Sequence, residues 1–495
     1  MPSETRTSAN HKAVGTFCLV VALAFLVAGG VLGAILRTQL AQPDEHLLGV
    51  KAYRELMSLH GTFSVFLFLM PAWVGLGFAV VPLQVGARRL AFPRLAVLSA
   101  SLFVAGGGLL AAAALTWEKG TPRSWALDPS LFAPHRFGHA PELWIVGLAL
   151  VGFAVISGAV NLLTTALAGR SADVTWDDVP LFTRSMVVAS GVLLLAVPVL
   201  LAGLALLYLQ HHSAGRAFDD THGGDPLVWH QLFWFFAYPA LWALVIPALG
   251  AVSEIVDASS PARGKRSREM GLAIAAVGVL AFTGWGSELV TDTSVPKPLF
   301  VVGGLLTVAA AGAVVLTWLD VLRRGRPALK LPGVHALVLI LLFAVGLAGT
   351  AVMRALPESR AGIVTYWWVA SWHALLVGGA TLGVVTALCY WAPSLWGRYL
   401  SGGLGALQLL LIGGGAFLTV APMFVLGAQV MRRGTVAYSS GDGWTVANLI
   451  ATAGSYVLAA GILVFVVNLL SVAAGRARSA PASDPWELAP AEAVS

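Results

Sequence analysis

Of the eleven histidines in this chain, two stand apart by where they fall. His11, His46, His135, His139, His211, His212 and His222 lie in polar stretches, and His230 and His335 open apolar runs. Only His60 and His373 lie well inside long apolar segments. Their depths, about four and nine residues from segment ends on the same side, convert at 1.5 Å per helical residue to roughly 6 and 13 Å. Two imidazoles so placed can meet one planar cofactor. A haem iron with two axial histidines is six-coordinate, which suits it to passing electrons and not to binding a substrate. The competing reading of each histidine is a hydrogen-bonded contact between helices. The surroundings, Ser58-Leu59-His60-Gly61-Thr62 and Trp372-His373-Ala374, favour the cofactor because small neighbours let a flat ring approach the backbone. Haem propionates need cations near the surface, and the adjacent Arg432 and Arg433 can supply them.

The elements that must position these side chains follow from composition. The 495 residues are 58% hydrophobic and 11% charged, where a soluble chain carries roughly 25% charge. This excludes a water-soluble enzyme, a disordered protein and a nucleic-acid binder, and leaves an all-α integral membrane protein surrounded by lipid. The net charge of +6 is the ordinary result of basic loops that set topology. Cys18 and Cys389 both sit in apolar runs, which excludes a disulfide framework and a C-x-x-C-H site for covalent haem. Runs of about 20 residues, enough to cross a bilayer, fall at 14–36, 56–85, 95–117, 142–168, 185–209, 229–256, 269–291, 298–320, 333–353, 364–391, 404–426 and 447–474. The chain therefore reads as a twelve-helix bundle over residues 14–474, with a tail at 1–13 and a disordered tail at 475–495. With both termini inside, the inner segments hold 18 of the 30 Lys and Arg residues, which places both tails on the cytoplasmic side of a bacterial-type plasma membrane. Many transporters also have twelve helices, but no repeat relates the two halves here.

The stretch His60-Gly-Thr-Phe-Ser-Val-Phe-Leu-Phe-Leu-Met-Pro71, continuing to Pro82-Leu-Gln-Val-Gly-Ala-Arg-Arg-Leu-Ala-Phe-Pro-Arg94, closely resembles the second helix of subunit I of haem-copper cytochrome c oxidases. Further similarities follow in the family's order: Ile35 to Pro43, Gly158 to Thr165, Pro180-Leu-Phe182 with Pro198 to Gly203, Gly223 to Pro226 with Leu232 to Phe236, and Tyr366 to His373. The resemblance covers about residues 14–474. It implies that His60 and His373 ligate a low-spin haem, of type A or B. Arg37 matches the arginine at the formyl group of haem A and Trp125 the tryptophan near that edge. Arg432 and Arg433 match the propionate-binding pair, and Trp372 the aromatic between the family's two haems.

The oxygen-reducing positions depart from the family. The high-spin haem ligand is Ser371 here. The copper ligand, proton-gating carboxylate and cross-linked tyrosine of the sixth helix become Tyr238, Ala240 and Trp242, and the two copper histidines of the seventh become Ser287 and Glu288. The acid after the second helix is Arg88, the lysine of the eighth helix is Val314, and the His-Asp pair of the magnesium site is Ile363-Val364. Serine, tyrosine and a lone carboxylate do not make a three-nitrogen copper site. The resemblance thus implies one low-spin haem, no copper, no magnesium and no redox-linked proton pumping. Trp234, Trp242, Trp285, Trp372 and Tyr238 are expected to fill the remaining volume. Glu288, the one carboxylate expected in the interior beside the two histidines, should be protonated, pair with Ser287 or Tyr238, or lie nearer the outside. The function implied is electron transfer in a respiratory complex, with other oxidase subunits as partners and a periplasmic donor such as cytochrome c or a copper protein. A terminal oxidase with substitute ligands and a haem-free assembly subunit remain alternatives.

Overall fold

An apolar segment in a bilayer has no water to satisfy its backbone polar groups, and a helix satisfies them within the segment. The computed structural model of the chain follows that logic and describes residues 10–116, 139–212, 217–218, 223–259, 267–289, 296–325, 330–355 and 364–479. Its helices are α1 (His11–Gln39), α2 (Val50–Gln84), α3 (Pro93–Leu115), α4 (Ala140–Ala168), α5 (Leu181–His212), α6 (Pro226–Ala258), α7 (Ser267–Leu280), α8 (Lys297–Gly325), α9 (Leu331–Ala355), α10 (Tyr366–Trp396), α11 (Gly402–Ala428) and α12 (Thr445–Ala473). Among the described residues, eleven helices are long and apolar enough to cross a membrane. The other, α7, has 14 residues and gives way to 3-10 turns at Ala281–Thr283 and Trp285–Glu288. Large rings press on its glycines there: a Cβ on Gly284 would lie 2.6 Å from the Tyr238 ring, and one on Gly286 2.7 Å from Phe300.

Three helices form the centre of the bundle. In their most apolar stretches 89% of α2, 83% of α6 and 83% of α10 is buried by protein, against 28% of α1 and of α12. A helix apolar on all sides belongs in such a core, and a peripheral one spends its outer face on lipid. Around the central trio the closest pairings are between consecutive helices, α3 with α4, α5 with α6 and α11 with α12.

Two local departures matter for the site. α2 begins at Val50 and not near residue 56, so His60 lies ten residues into the helix. The added turns, Val50 to Glu55, carry three charged residues, with Lys51 and Glu55 paired at 3.8 Å one helical turn apart, so they are helical without being uniformly apolar. Both α2 and α10 also contain a π-helical segment, Phe63–Leu69 and Ala374–Thr381, each starting just after its histidine. At the C-terminus the start of the expected tail is bonded: Arg398 Nη1 donates to Gly475 O (2.9 Å) and Ala477 O (2.6 Å).

Candidate functional site

His60 and His373 are brought together from α2 and α10 with ring centres 6.3 Å apart and planes within 7° of parallel. His60 Nδ1 donates to Gly29 O on α1 at 2.8 Å, and His373 Nδ1 donates to Val369 O at 2.8 Å. A carbonyl only accepts, so each bond fixes the proton on Nδ1 and leaves Nε2 with its lone pair, the state a metal requires. Two metal–imidazole bonds of about 2 Å, with half a ring at each end, require about 6 Å between ring centres. The observed spacing fits one iron held between the two rings.

The wall behind His60 is built by α1. Gly29, Gly33 and Arg37 recur every four residues and so share one face. A Cβ on Gly33 would lie 2.9 Å from Cε1 and 3.2 Å from Nδ1 of His60, so glycine is what allows the ring to lie against α1. One turn further along, Arg37 is 6% exposed. Its Nη2 donates to Asn448 O (3.1 Å) and Oδ1 (2.8 Å), and its Cζ lies 5.9 Å from the centre of the Tyr366 ring. Nε and Nη1 are buried with no hydrogen-bond partner. A buried guanidinium in that condition calls for an acceptor, and a polar haem edge would supply one. Arg432 and Arg433 follow α11 in a loop tied to the start of α10: Tyr366 N donates to Met431 O and Arg433 N to Val364 O, both at 2.9 Å, with Thr365 and Arg432 paired antiparallel. Arg432 is exposed, and the Arg433 guanidinium stacks over the Trp368 ring at 5.1 Å.

Beyond Trp372 the interior changes character. Trp372 packs edge-on against Tyr238 (5.9 Å, 90°) and Trp242 (6.3 Å, 69°), and meets Trp368 at 6.3 Å, which in turn meets Trp234 at 6.3 Å. Trp285 packs one layer away, on Phe235 and Phe300. Ser371 is buried and its Oγ donates to Trp367 O at 2.9 Å; Ala240 and Val314 are buried apolar side chains. Glu288 is 4% exposed and accepts from Arg354 Nη2 and, on its other oxygen, from Trp368 Nε1 at 3.0 Å. Arg354 Nη1 donates to Ser287 Oγ, and its Cζ lies 5.3 Å from the Tyr238 ring centre. Among the described residues no group of three or more His, Cys, Asp or Glu side chains forms a metal site.

The comparisons with known proteins agree with this architecture. Residues 13–457 match the pattern of cytochrome c and quinol oxidase polypeptide I. The chain belongs to that family. It is 31% identical over 468 residues to cytochrome c oxidase subunit 1 of Bacillus subtilis, covering 94% of this chain and 75% of that protein. It is 32% identical to cytochrome c oxidase subunit 1 of Synechocystis, covering 93% and 83%. A cryo-EM structure of a haem-copper terminal oxidase dimer shares its fold with a TM-score of 0.80 at 18% identity, over 97% of this chain and 86% of that one.

The structure differs from the sequence expectations in three places. Glu288 does not pair with Tyr238; its partner is Arg354, which also holds Ser287. Arg354 falls one residue past the expected end of its segment and so reads as a loop cation, whereas α9 continues through it and buries it. The interior is also less free of ionisable groups than expected: Arg37, Arg354 and His335 are buried beside Glu288, His335 with Nδ1 donating to Leu331 O at 2.9 Å. Trp125 and Ile363 lie outside the described residues.

Proposed function

We propose that this oxidase-family subunit carries one low-spin haem between His60 and His373 and passes electrons within a respiratory membrane complex, without an oxygen-reducing site of its own. The observation that carries the reading is the parallel imidazole pair at 6.3 Å with both Nδ1 atoms committed to carbonyls. A bis-imidazole haem cycles between ferrous and ferric iron with no open coordination position, which gives one-electron transfer without substrate binding. His60 and His373 hold the iron in this reading. Arg37 donates to the haem edge, and Arg432 and Arg433 neutralise the propionates. Charge supports the assignment: Arg37, Arg354 and Arg433 lie in or beside the interior, and Glu288 offsets one of them, leaving an excess that suits a dianionic edge.

The positions of the family's copper and second haem support the negative half of the proposal. In this reading they are filled by the packed rings of Tyr238, Trp242 and Trp372 and by the Glu288–Arg354 ion pair, which present no set of nitrogen ligands. The donor is a periplasmic cytochrome c or copper protein and the acceptor a partner subunit, with both termini of this chain cytoplasmic. Optical spectra and metal analysis of the separated, purified chain test the proposal. One low-spin haem per chain, no copper and no oxygen consumption from reduced cytochrome c are expected. Copper with oxygen uptake would establish a terminal oxidase, and a chain without haem would establish an assembly role.

A further inference from the structure

Glu288, Arg354 and Trp368 hold neither the iron nor the haem edge in the reading above, yet they connect the packed region to the proposed haem site. The Glu288 carboxylate binds Arg354 on one oxygen and the Trp368 indole N–H on the other. The Trp368 ring carries Arg433 at 5.1 Å, and Arg433 is anchored at its backbone to Val364. Trp368 lies one turn and a residue before His373 on α10, next to Val369, whose carbonyl orients the His373 ring. One carboxylate therefore fixes the platform on which Arg433 rests, and Arg354 holds that carboxylate in place.

We propose that Glu288, Arg354 and Trp368 are positioning residues that hold Arg433 for the haem and set the haem's redox midpoint. The inference rests on the one-haem reading. Its sign follows from Coulomb's law. Reduction of ferric to ferrous iron adds one electron, and therefore one negative charge, so nearby positive charge favours the reduced form. Glu288 offsets part of the positive field of Arg354 and Arg433. Removing its charge makes the haem easier to reduce; freeing Arg433 to swing toward solvent makes it harder.

The test is a redox titration of the full-length protein in detergent, with dithionite as reductant and ferricyanide as oxidant, followed by the low-spin absorbance. Glu288→Gln is expected to raise the ferrous-to-ferric ratio at fixed potential about tenfold, which for a one-electron couple is about 59 mV. Trp368→Phe keeps every charge and most of the ring volume, loses the bond to Glu288, and is expected to lower the ratio by about threefold with an unchanged spectrum. Because Glu288→Gln leaves Arg354 buried without a counter-ion and can fail to fold, Trp368→Phe alone decides the matter in that event. Midpoints equal to the parent's in every variant that folds, with the parent's haem spectrum intact, would overturn this inference and leave the one-haem reading standing. A parent chain without low-spin haem would instead end that reading and this one together.

Discussion

The two polar regions of the bundle interior are built in opposite ways. Around His60 and His373 the protein withholds side chains: glycines line α1, both rings are oriented by backbone carbonyls, and Arg37 keeps two buried donors without partners. Around Trp372 it supplies them: four other aromatic rings, a serine and an ion pair meet side chain to side chain, and the Glu288 carboxylate is bonded on both oxygens, although Tyr238 Oη, Trp242 Nε1, Trp372 Nε1 and Arg354 Nε are buried there without hydrogen-bond partners. A region walled by glycine and oriented by backbone leaves room for something added later. A region filled by rings packed on one another is arranged to stay closed. The contrast is drawn within a few turns of α10, which contributes Trp368, Ser371 and Trp372 to one region and His373 to the other.

The largest expected effect breaks the open region. His373→Ala or His60→Ala removes one axial nitrogen, and the low-spin absorbance of the purified chain should disappear altogether, while the helical circular dichroism should persist because α10 keeps its packing on α6 through Trp372. In the closed region, Arg354→Met leaves Glu288 buried without its cation and should destabilise the fold by about 3–5 kcal/mol in a denaturant titration. Replacing both partners, Glu288→Leu with Arg354→Met, should recover most of that loss, because two apolar groups leave no charge to compensate. A double variant as unstable as the single would show that the pair serves packing and not mutual neutralisation. A smaller effect returns to the open region. Gly33→Ala places a Cβ against the His60 ring, and haem content should fall at a stability cost of about 1–3 kcal/mol; unchanged haem content would mean that α1 can move away from the ring.

What the sequence makes legible tracks the same division. Long apolar runs declare the helices, and an intramembrane histidine is rare enough to be conspicuous, so the bundle and the two candidate histidines are readable from residue types alone. The closed region is harder because its key residue hides at a boundary. Arg354 follows an apolar run by one position and looks like any loop cation, and its role depends on Glu288, 66 residues earlier. Pairing across that separation is a tertiary fact that no local pattern encodes. The π-helical turns after His60 and His373 are equally silent, because no local residue pattern marks them. The early start of α2 was obscured for the converse reason: its first turns are helical by salt-bridge spacing and not by apolarity.

The smallest expected effect probes the link between the two regions. The loop that carries Arg432 and Arg433 leaves α11 through Val430, whose φ of +61° is left-handed. A β-branched residue is disfavoured there because its branched Cβ crowds the following carbonyl. The conformation is imposed from both sides: Val430 N donates to Gly427 O and Met431 N to Leu426 O, each at 3.0 Å, while Met431 O accepts from Tyr366 N at the start of α10. Those bonds aim Arg433 at Trp368 and tie the arginine pair to the helix that bears His373. Strain of this kind costs about 1 kcal/mol or more, so Val430→Gly should stabilise the purified chain by about 1 kcal/mol in the same denaturant titration. If the loop geometry is set by its hydrogen bonds and not by the valine side chain, haem content should stay at the parent level. A stabilised variant that loses haem would show instead that the valine side chain is what aims the arginines, and that the closed region reaches the open one through packing as well as charge.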